Sequence, residues 1–304
     1  MNNRIICFNN SKQMKFTTSL FISSVLAQSD LDILNYALTL EHLENAFYQQ
    51  GVANFTAKDF EKYGMPNNTF SEFQVISSHE KIHVDTLVSV INASYPGKFV
   101  PPCNYSFGIT TVSEFVEIAR ALERTGVSAY LGRVADINLK AYLTAAATIT
   151  TIEARHASFL NIISGISGMP QPFDTPLDPT SIVSIASQFI VSCPYDLGVK
   201  PYPKFNVKVN GMSVYTESNS TGFCKFLYGA NTKYSSIENG KCELPSDAKV
   251  DVYVFNVQSN SSDSKVLAGP AIVSAKMGEM GNIVSSGINS QISLIVVALA
   301  VCFV

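Results

Sequence analysis

Between residue 29 and about residue 190, apolar positions recur at the three- and four-residue spacing of amphipathic helices. The pattern predicts four long helices over residues 30–50, 71–93, 112–137 and 139–164, and a shorter one over 179–190. Ser29 or Asp30 is suited to cap the first helix. Residues 96–111 have no helical period and are long enough to run the length of a bundle. The pattern therefore predicts an all-α four-helix bundle with one long crossover.

After Pro194 the pattern changes to alternating apolar and polar residues, as in 205–210 and 250–257, separated by turn-forming clusters. Such alternation is typical of half-buried strands. It predicts a small all-β domain over residues 195–275, arranged as a sandwich. This part has no histidine and its carboxylates are scattered, so we expect no catalytic site in it.

A repeated set of polar residues interrupts the apolar stripes at the middle of the four long helices. The second helix carries Glu80 and His83, and the fourth carries Glu153 and His156, each as an E-x-x-H pair. Residues three apart lie on one face of a helix, so each pair points to the same neighbours. The other two helices carry a glutamate and, seven residues later, a tyrosine: Glu41 with Tyr48, and Glu123 with Tyr130.

Residues 79–83 also read H-E-x-x-H, the zinc-binding pattern of a metalloprotease helix. A zinc protease needs a third ligand, and the chain after His83 lacks the H-x-x-G-x-x-H continuation. A protease would also leave Glu153 and His156 unexplained. We therefore reject this interpretation, and we expect His79 to lie beside the stripe and His42 to face away from it.

Charge balance favours a metal site instead. A buried carboxylate without a partner costs several kcal/mol, so a core does not tolerate four together. Two divalent cations would balance four carboxylates, and two neutral imidazoles would complete the donor set. The predicted metal ligands are Glu41, Glu80, His83, Glu123, Glu153 and His156. Mixed carboxylate and imidazole donors favour two iron ions, with manganese as the alternative.

Four segments carry a family resemblance: LEHLENAFY (40–48), SHEKIH (78–83), ALERTGVSAYLG (121–132) and IEARH (152–156). They resemble the ferritin-like superfamily, in particular secreted fungal ferritin-like proteins similar to stress-response and desiccation-related proteins. The resemblance covers about residues 29–194, and residues 268–271 also look like the C-terminal part of those fungal chains. It implies that Glu80 and Glu153 bridge two metals. It also implies terminal carboxylate ligands at Glu41 and Glu123, and one histidine for each metal.

Glu44 departs from the family pattern, because Gly126 stands at the corresponding position of the third helix. It is either a fifth carboxylate ligand or a residue at the edge of the bundle. Tyr48 and Tyr130 are either core residues or hydrogen-bond partners of a ligand.

Sequence patterns at the two ends of the chain predict where the protein is located in the cell. Basic residues and a short apolar run in residues 1–27 predict a signal peptide cleaved after Ala27. Small and polar residues followed by an apolar tail in 276–304 predict a GPI-attachment signal, with attachment at Asn282 or Ser285. A tail anchor is the alternative. Six N-x-S/T sequons between these segments predict N-glycosylation at Asn54, Asn67, Asn92, Asn104, Asn219 and Asn260.

Four cysteines lie between the predicted end segments, and an even number suits an oxidising compartment. Three pairings are possible. We favour Cys103–Cys193 and Cys224–Cys242, because each then closes within one domain (28–194 or 195–275). The net charge of -3 gives no support for nucleic-acid binding.

Together these patterns predict a secreted cell-surface protein, GPI-anchored to the plasma membrane or cell wall. Its dinuclear centre would oxidise Fe(II) or activate O₂ or peroxide, while the substrate and any catalytic residue stay unassigned. The alternative is a non-enzymatic cell-wall or stress-protection protein whose metal site is structural or absent. Expected partners are metal ions, the membrane through the anchor, and cell-wall glycan. Assembly into a cage is not expected, because glycans and the added domain crowd the surface.

Overall fold

The computed structural model describes residues 29–217, 219–248 and 251–274. The predicted signal peptide, the GPI-attachment signal and both candidate attachment residues lie outside these ranges. Six α-helices occur in the described chain: α1 Asp30–Asn54, α2 Ala57–Lys62, α3 Thr69–Ser94, α4 Val112–Arg133, α5 Lys140–Ile163 and α6 Pro179–Ala186. Helix α1 packs mainly against α3, and α4 packs against α5, which makes the four long helices a bundle.

Capping boxes fix where two of the long helices begin. At the start of α1, the Ser29 hydroxyl accepts a hydrogen bond from the Asp32 backbone N–H, and the Asp32 carboxylate accepts one from the Ser29 backbone. Thr111 and Glu114 do the same for α4. These reciprocal bonds satisfy N–H groups that a helix cannot pair internally.

The long connection between α3 and α4 is held in place near its middle. Strand β1 (Asn104–Tyr105) pairs with β2 (Ile190–Ser192), and the Cys103–Cys193 disulfide lies directly beside this pairing. The fifth predicted helix was therefore too long. It ends at Ala186, because Ile190 is extended and pairs with Tyr105.

Two further differences concern short elements. The third predicted helix ends at Arg133, and the chain continues as a 3₁₀ helix over Val134–Asp136. Helix α2 was not predicted. It has only six residues, and it is fixed by a capping box between Thr56 and Asp59 and by Phe60, which is 1% exposed in the core.

After β2, seven strands form the C-terminal part: β3 Lys208–Asn210, β4 Ser213–Tyr215, β5 Phe223–Tyr228, β6 Asn231–Ser236, β7 Lys241–Glu243, β8 Val252–Val257 and β9 Val266–Val273. They make two antiparallel sheets, in the orders β3-β4-β7 and β6-β5-β8-β9. Val209 and Val214 from one sheet share a core with Phe226 and Val254 from the other. The Cys224–Cys242 disulfide joins β5 to β7, and hence one sheet to the other. The predicted order, a helical bundle and then an antiparallel β domain, is confirmed.

Strand β8 attaches the β domain to the bundle. Val252 and Val254 face the sandwich core, whereas Tyr253 and Phe255 belong to the core of the helices. Because β8 is buried on both faces, the expectation of a half-buried strand was wrong here. The helix that receives this face is α4, which carries Glu123. Over the described ranges, no helix combines the length and the apolar character that a membrane crossing needs.

Candidate metal centre

The six predicted ligands meet at the middle of the bundle, one motif from each long helix. Glu41 comes from α1, Glu80 and His83 from α3, Glu123 from α4, and Glu153 and His156 from α5. All four carboxylates are 0% exposed, and both histidines are buried. Sequence reasoning and structure therefore place the same side chains in one cluster.

Their donor atoms form two overlapping groups. One group contains Glu41, Glu80, His83 and Glu153; the other contains Glu80, Glu123, Glu153 and His156. Within each group the donor atoms lie within 4.8 Å of one another, about twice a metal–oxygen bond length. Glu80 and Glu153 belong to both groups. Each group could therefore hold a metal ion, and the two groups share the carboxylates of Glu80 and Glu153.

The orientation of the donors distinguishes this cluster from an ordinary ion-pair network. His83 Nδ1 lies 3.2 Å from Glu41 Oε2 and 3.2 Å from Glu153 Oε1. Yet His83 Nδ1, both oxygens of Glu80 and both of Glu153 are buried without a hydrogen-bond partner among the described residues. The atoms are close but do not point at each other. Because unpaired buried donors and acceptors are costly, the residues present fit a divalent cation between them.

The electrostatics of the protein alone lead to the same conclusion. Burial, together with the charge of Glu153, raises the pKa of Glu80 to about 7. Burial and the charge of Glu123 raise the pKa of Glu153 well above its ordinary value. Burial opposes protonation of His156, but the charge of Glu123, the hydrogen bonds to Glu123 and Glu80 and the charge of Glu153 together outweigh it and raise the pKa to about 11. Without metal, these buried side chains therefore bind protons more strongly than they would in water, and a bound cation would replace those protons.

Glu44 does not lie at the bundle edge. It is 3% exposed, and burial followed by the charge of Glu153 raises its pKa well above the ordinary range. A Cβ added to Gly126 would lie 3.0 Å from an oxygen of Glu44 and 3.0 Å from an oxygen of Glu153. The glycine on α4 therefore leaves the space into which the additional carboxylate of α1 extends.

The two tyrosines make matching hydrogen bonds across the bundle. The Tyr48 hydroxyl donates to Glu123 Oε1 at 2.5 Å, and the Tyr130 hydroxyl donates to Glu41 Oε1 at 2.5 Å. In both carboxylates the other oxygen, Oε2, approaches a histidine Nδ1. Burial and the neighbouring glutamate charges raise the pKa of both tyrosines, so they stay protonated donors. Each terminal carboxylate is thus held by one oxygen while the other faces the centre.

Sequence reasoning missed one contact. His79 does not merely lie beside the stripe, because its Nδ1 is 3.0 Å from Nε2 of His156. Nothing in the sequence could reveal this, since the contact depends on the distance between α3 and α5. His42 does face away: its Nε2 lies 3.1 Å from the backbone oxygen of Val100.

Comparison with known proteins bears on the same part of the chain. Residues 29–165 match the family model described as a ferritin-like domain, a range that contains all six buried donor residues. The chain is also similar to Protein rds1 of Schizosaccharomyces pombe (strain 972 / ATCC 24843), with 23% identity over 165 residues. That match covers 54% of this chain and 40% of the yeast protein, so it spans well under half the length of that relative.

Proposed function

From the premise that residues 29–165 form a ferritin-like domain, we propose that this protein binds two metal ions, iron in the first place, at the centre of its helical bundle. The observation that carries the proposal is the pair of overlapping donor groups with two shared carboxylates. Glu80 and Glu153, which belong to both donor groups, would be shared by the two ions, while Glu41 and His83 would complete one site and Glu123 and His156 the other. Glu44 is the candidate for a fifth carboxylate ligand.

Bound iron would supply redox chemistry towards Fe(II), dioxygen or peroxide, and the side chains of the protein would create the conditions for it. The centre lies between two apolar clusters. On one side the rings of Phe73 and Phe115 contact each other with centroids 4.7 Å apart, and on the other Leu38 and Leu87 close the bundle. These clusters exclude bulk water, which strengthens every electrostatic interaction inside. Tyr48 and Tyr130 fix the terminal carboxylates. Mixed oxygen and nitrogen donors favour iron, with manganese as the alternative.

The proposed location is the cell surface. Two disulfides suit a chain that passes through an oxidising compartment. The asparagines of all six sequons are exposed, so each has room for a glycan: Asn54, Asn67, Asn92, Asn104, Asn219 and Asn260. Secreted protein should begin at Gln28 and lose mass with an endoglycosidase, and a surface-bound form should be released by a GPI-specific phospholipase. A full-length, unglycosylated product would contradict this location.

Metal analysis tests the proposed function directly. Protein purified from an iron-supplemented culture should contain close to two metal ions per chain. The double variant Glu80→Ala/Glu153→Ala should contain almost none, while the matched control Glu117→Ala, an exposed glutamate on α4, should keep both. Oxygen consumption on adding Fe(II) then tests turnover. Wild-type protein that folds normally without metal would instead support the non-enzymatic cell-wall or stress-protection role.

A further inference from the structure

The second histidine of the H-E-x-x-H run lies in the metal cluster, and the first one has a separate role. We propose that His79 is a positioning residue for the site that contains His156, and that it makes the two metal sites unequal. The inference rests on the proposed function, because it concerns how one of the proposed ligands is held.

His156 uses its two ring nitrogens in opposite directions. Nδ1 faces the cluster, 3.1 Å from Glu123 Oε2 and 3.2 Å from Glu80 Oε1. Nε2 faces away from the cluster and lies 3.0 Å from Nδ1 of His79. A ring that binds a cation through Nδ1 carries its proton on Nε2. That N–H can donate only to the lone pair on His79 Nδ1, so the proton of His79 must be on its outer nitrogen.

Such a bond affects the metal site in a specific way. A hydrogen bond to the far nitrogen of a ligating histidine fixes its tautomer and its ring orientation and makes it a stronger base. His79 is well placed to do this, because it immediately precedes Glu80 on α3. One short piece of α3 therefore supplies a shared carboxylate and also supports a ligand of α5.

The other site lacks this support. The residue that immediately precedes Glu153 on α5 is Ile152, where α3 has His79. The chain contains four histidines, and His42 contacts the backbone oxygen of Val100 instead. No imidazole is therefore left to orient His83. The near two-fold repeat of the ligands is therefore broken at this position. The site that contains His156 should bind its metal ion more tightly than it would without His79.

A cobalt titration of the metal-free, full mature chain tests the inference. Co(II) reports its ligands through visible absorption, and calorimetry gives the affinity of each site. In His79→Ala, we expect the affinity of one site to fall about 10- to 100-fold, while the other stays unchanged. In His79→Gln, whose amide oxygen can still accept the hydrogen bond, the affinity of that site should fall less. Added imidazole should restore the weak site of His79→Ala.

His42→Ala is the matched control, because His42 is also next to a proposed ligand, Glu41, but contacts Val100. It should bind Co(II) like wild type and show no response to imidazole. Thermal unfolding of the metal-free variants checks that they fold. The inference is overturned if His79→Ala keeps both affinities, or if both sites weaken equally and imidazole restores neither. Wild-type protein that takes up no metal would overturn the proposed function itself, and this inference with it.

Discussion

At the residue scale, Gly126 shows how the quasi-repeat of the bundle becomes asymmetric. A glycine inside a helix costs about 1 kcal/mol relative to alanine, so its presence on α4 needs a reason. The reason is the carboxylate of Glu44, which occupies the space beside it together with an oxygen of Glu153. The additional acid of α1 and the missing side chain of α4 are therefore complementary parts of one arrangement.

Gly126→Ala should separate stability from metal binding. In the metal-free protein the two carboxylates can shift away from the new methyl group, so the higher helix propensity of alanine should keep the stability close to that of wild type. The new methyl group would lie 3.0 Å from an oxygen of each carboxylate, so one of them must move and the stabilisation by added metal should shrink. Thermal unfolding with and without metal measures both effects. In the double variant Glu44→Ala/Gly126→Ala the metal-dependent stabilisation should return only in part, because Glu153 can move into the space that Glu44 leaves but the candidate fifth ligand is lost. This account would be contradicted if added metal stabilised Gly126→Ala as much as it stabilises wild type.

The cluster could be predicted from the sequence only in part. The repeated E-x-x-H pairs and the matched glutamates single out the six donors, because helical periodicity determines which side chains share a face. The burial of Glu44 and the contact of His79 with His156 depend on the distances between helices. Those distances are set by packing against residues far away in the chain, so no local pattern carries them.

At the element scale, the long helices could be predicted from local periodicity, whereas the short elements depend on contacts between distant parts of the chain. The long helices repeat the 3.6-residue period many times, and their predicted bounds differ from the structure by a few residues. Helix α2 and the β1–β2 pair have too few residues to show a period. They form because Phe60 fills a core position and because a disulfide holds residue 103 against residue 193. Tertiary contacts thus decide these elements.

Strand β8 contacts α4 from outside the bundle. Arg120 on α4 donates from Nη2 to both oxygens of Asp251, at 2.9 and 3.0 Å, just before β8 begins. Both residues are 6% exposed. In addition, the Tyr253 hydroxyl donates to the backbone oxygen of Arg124, one residue from Glu123. The β domain therefore braces the helix that supplies one terminal carboxylate and Gly126.

Breaking this buried ion pair should destabilise the protein strongly. Asp251→Asn leaves the Arg120 guanidinium buried without a counter-charge, which costs about 3–5 kcal/mol of unfolding free energy. Arg120→Met should cost a similar amount. The double variant Arg120→Met/Asp251→Leu should recover much of the loss, because apolar partners need no charge balance. Urea unfolding of wild type and the three variants measures the two losses and the recovery. A loss below about 1 kcal/mol in both single variants would mean that β8 does not brace α4 through this pair.

At the scale of the whole molecule, the protonation of the centre couples folding to metal binding. Without metal, the pKa of Glu80 is about 7 in the folded state against 4.5 in the unfolded chain, and that of Glu153 is also raised. Between pH 4.5 and about pH 7 the folded state binds more protons than the unfolded state. The stability of the metal-free protein therefore falls as the pH rises through this interval. His156, with a pKa raised to about 11, adds stability that is fully present below pH 6.5 and declines above it.

Metal binding should therefore stabilise the protein more at neutral than at acidic pH. A cation requires deprotonated carboxylates and neutral imidazoles, so at about pH 5 it must first displace the protons that the folded chain holds. At about pH 7 fewer protons oppose it, while the metal-free protein has become less stable. The difference in melting temperature with and without metal should grow from about pH 5 to about pH 7. Glu80→Ala/Glu153→Ala should show almost no difference at either pH, which separates the centre from unspecific binding at surface carboxylates. A metal-dependent stabilisation that stayed constant or fell over this interval would mean that the cation does not bind in place of these protons.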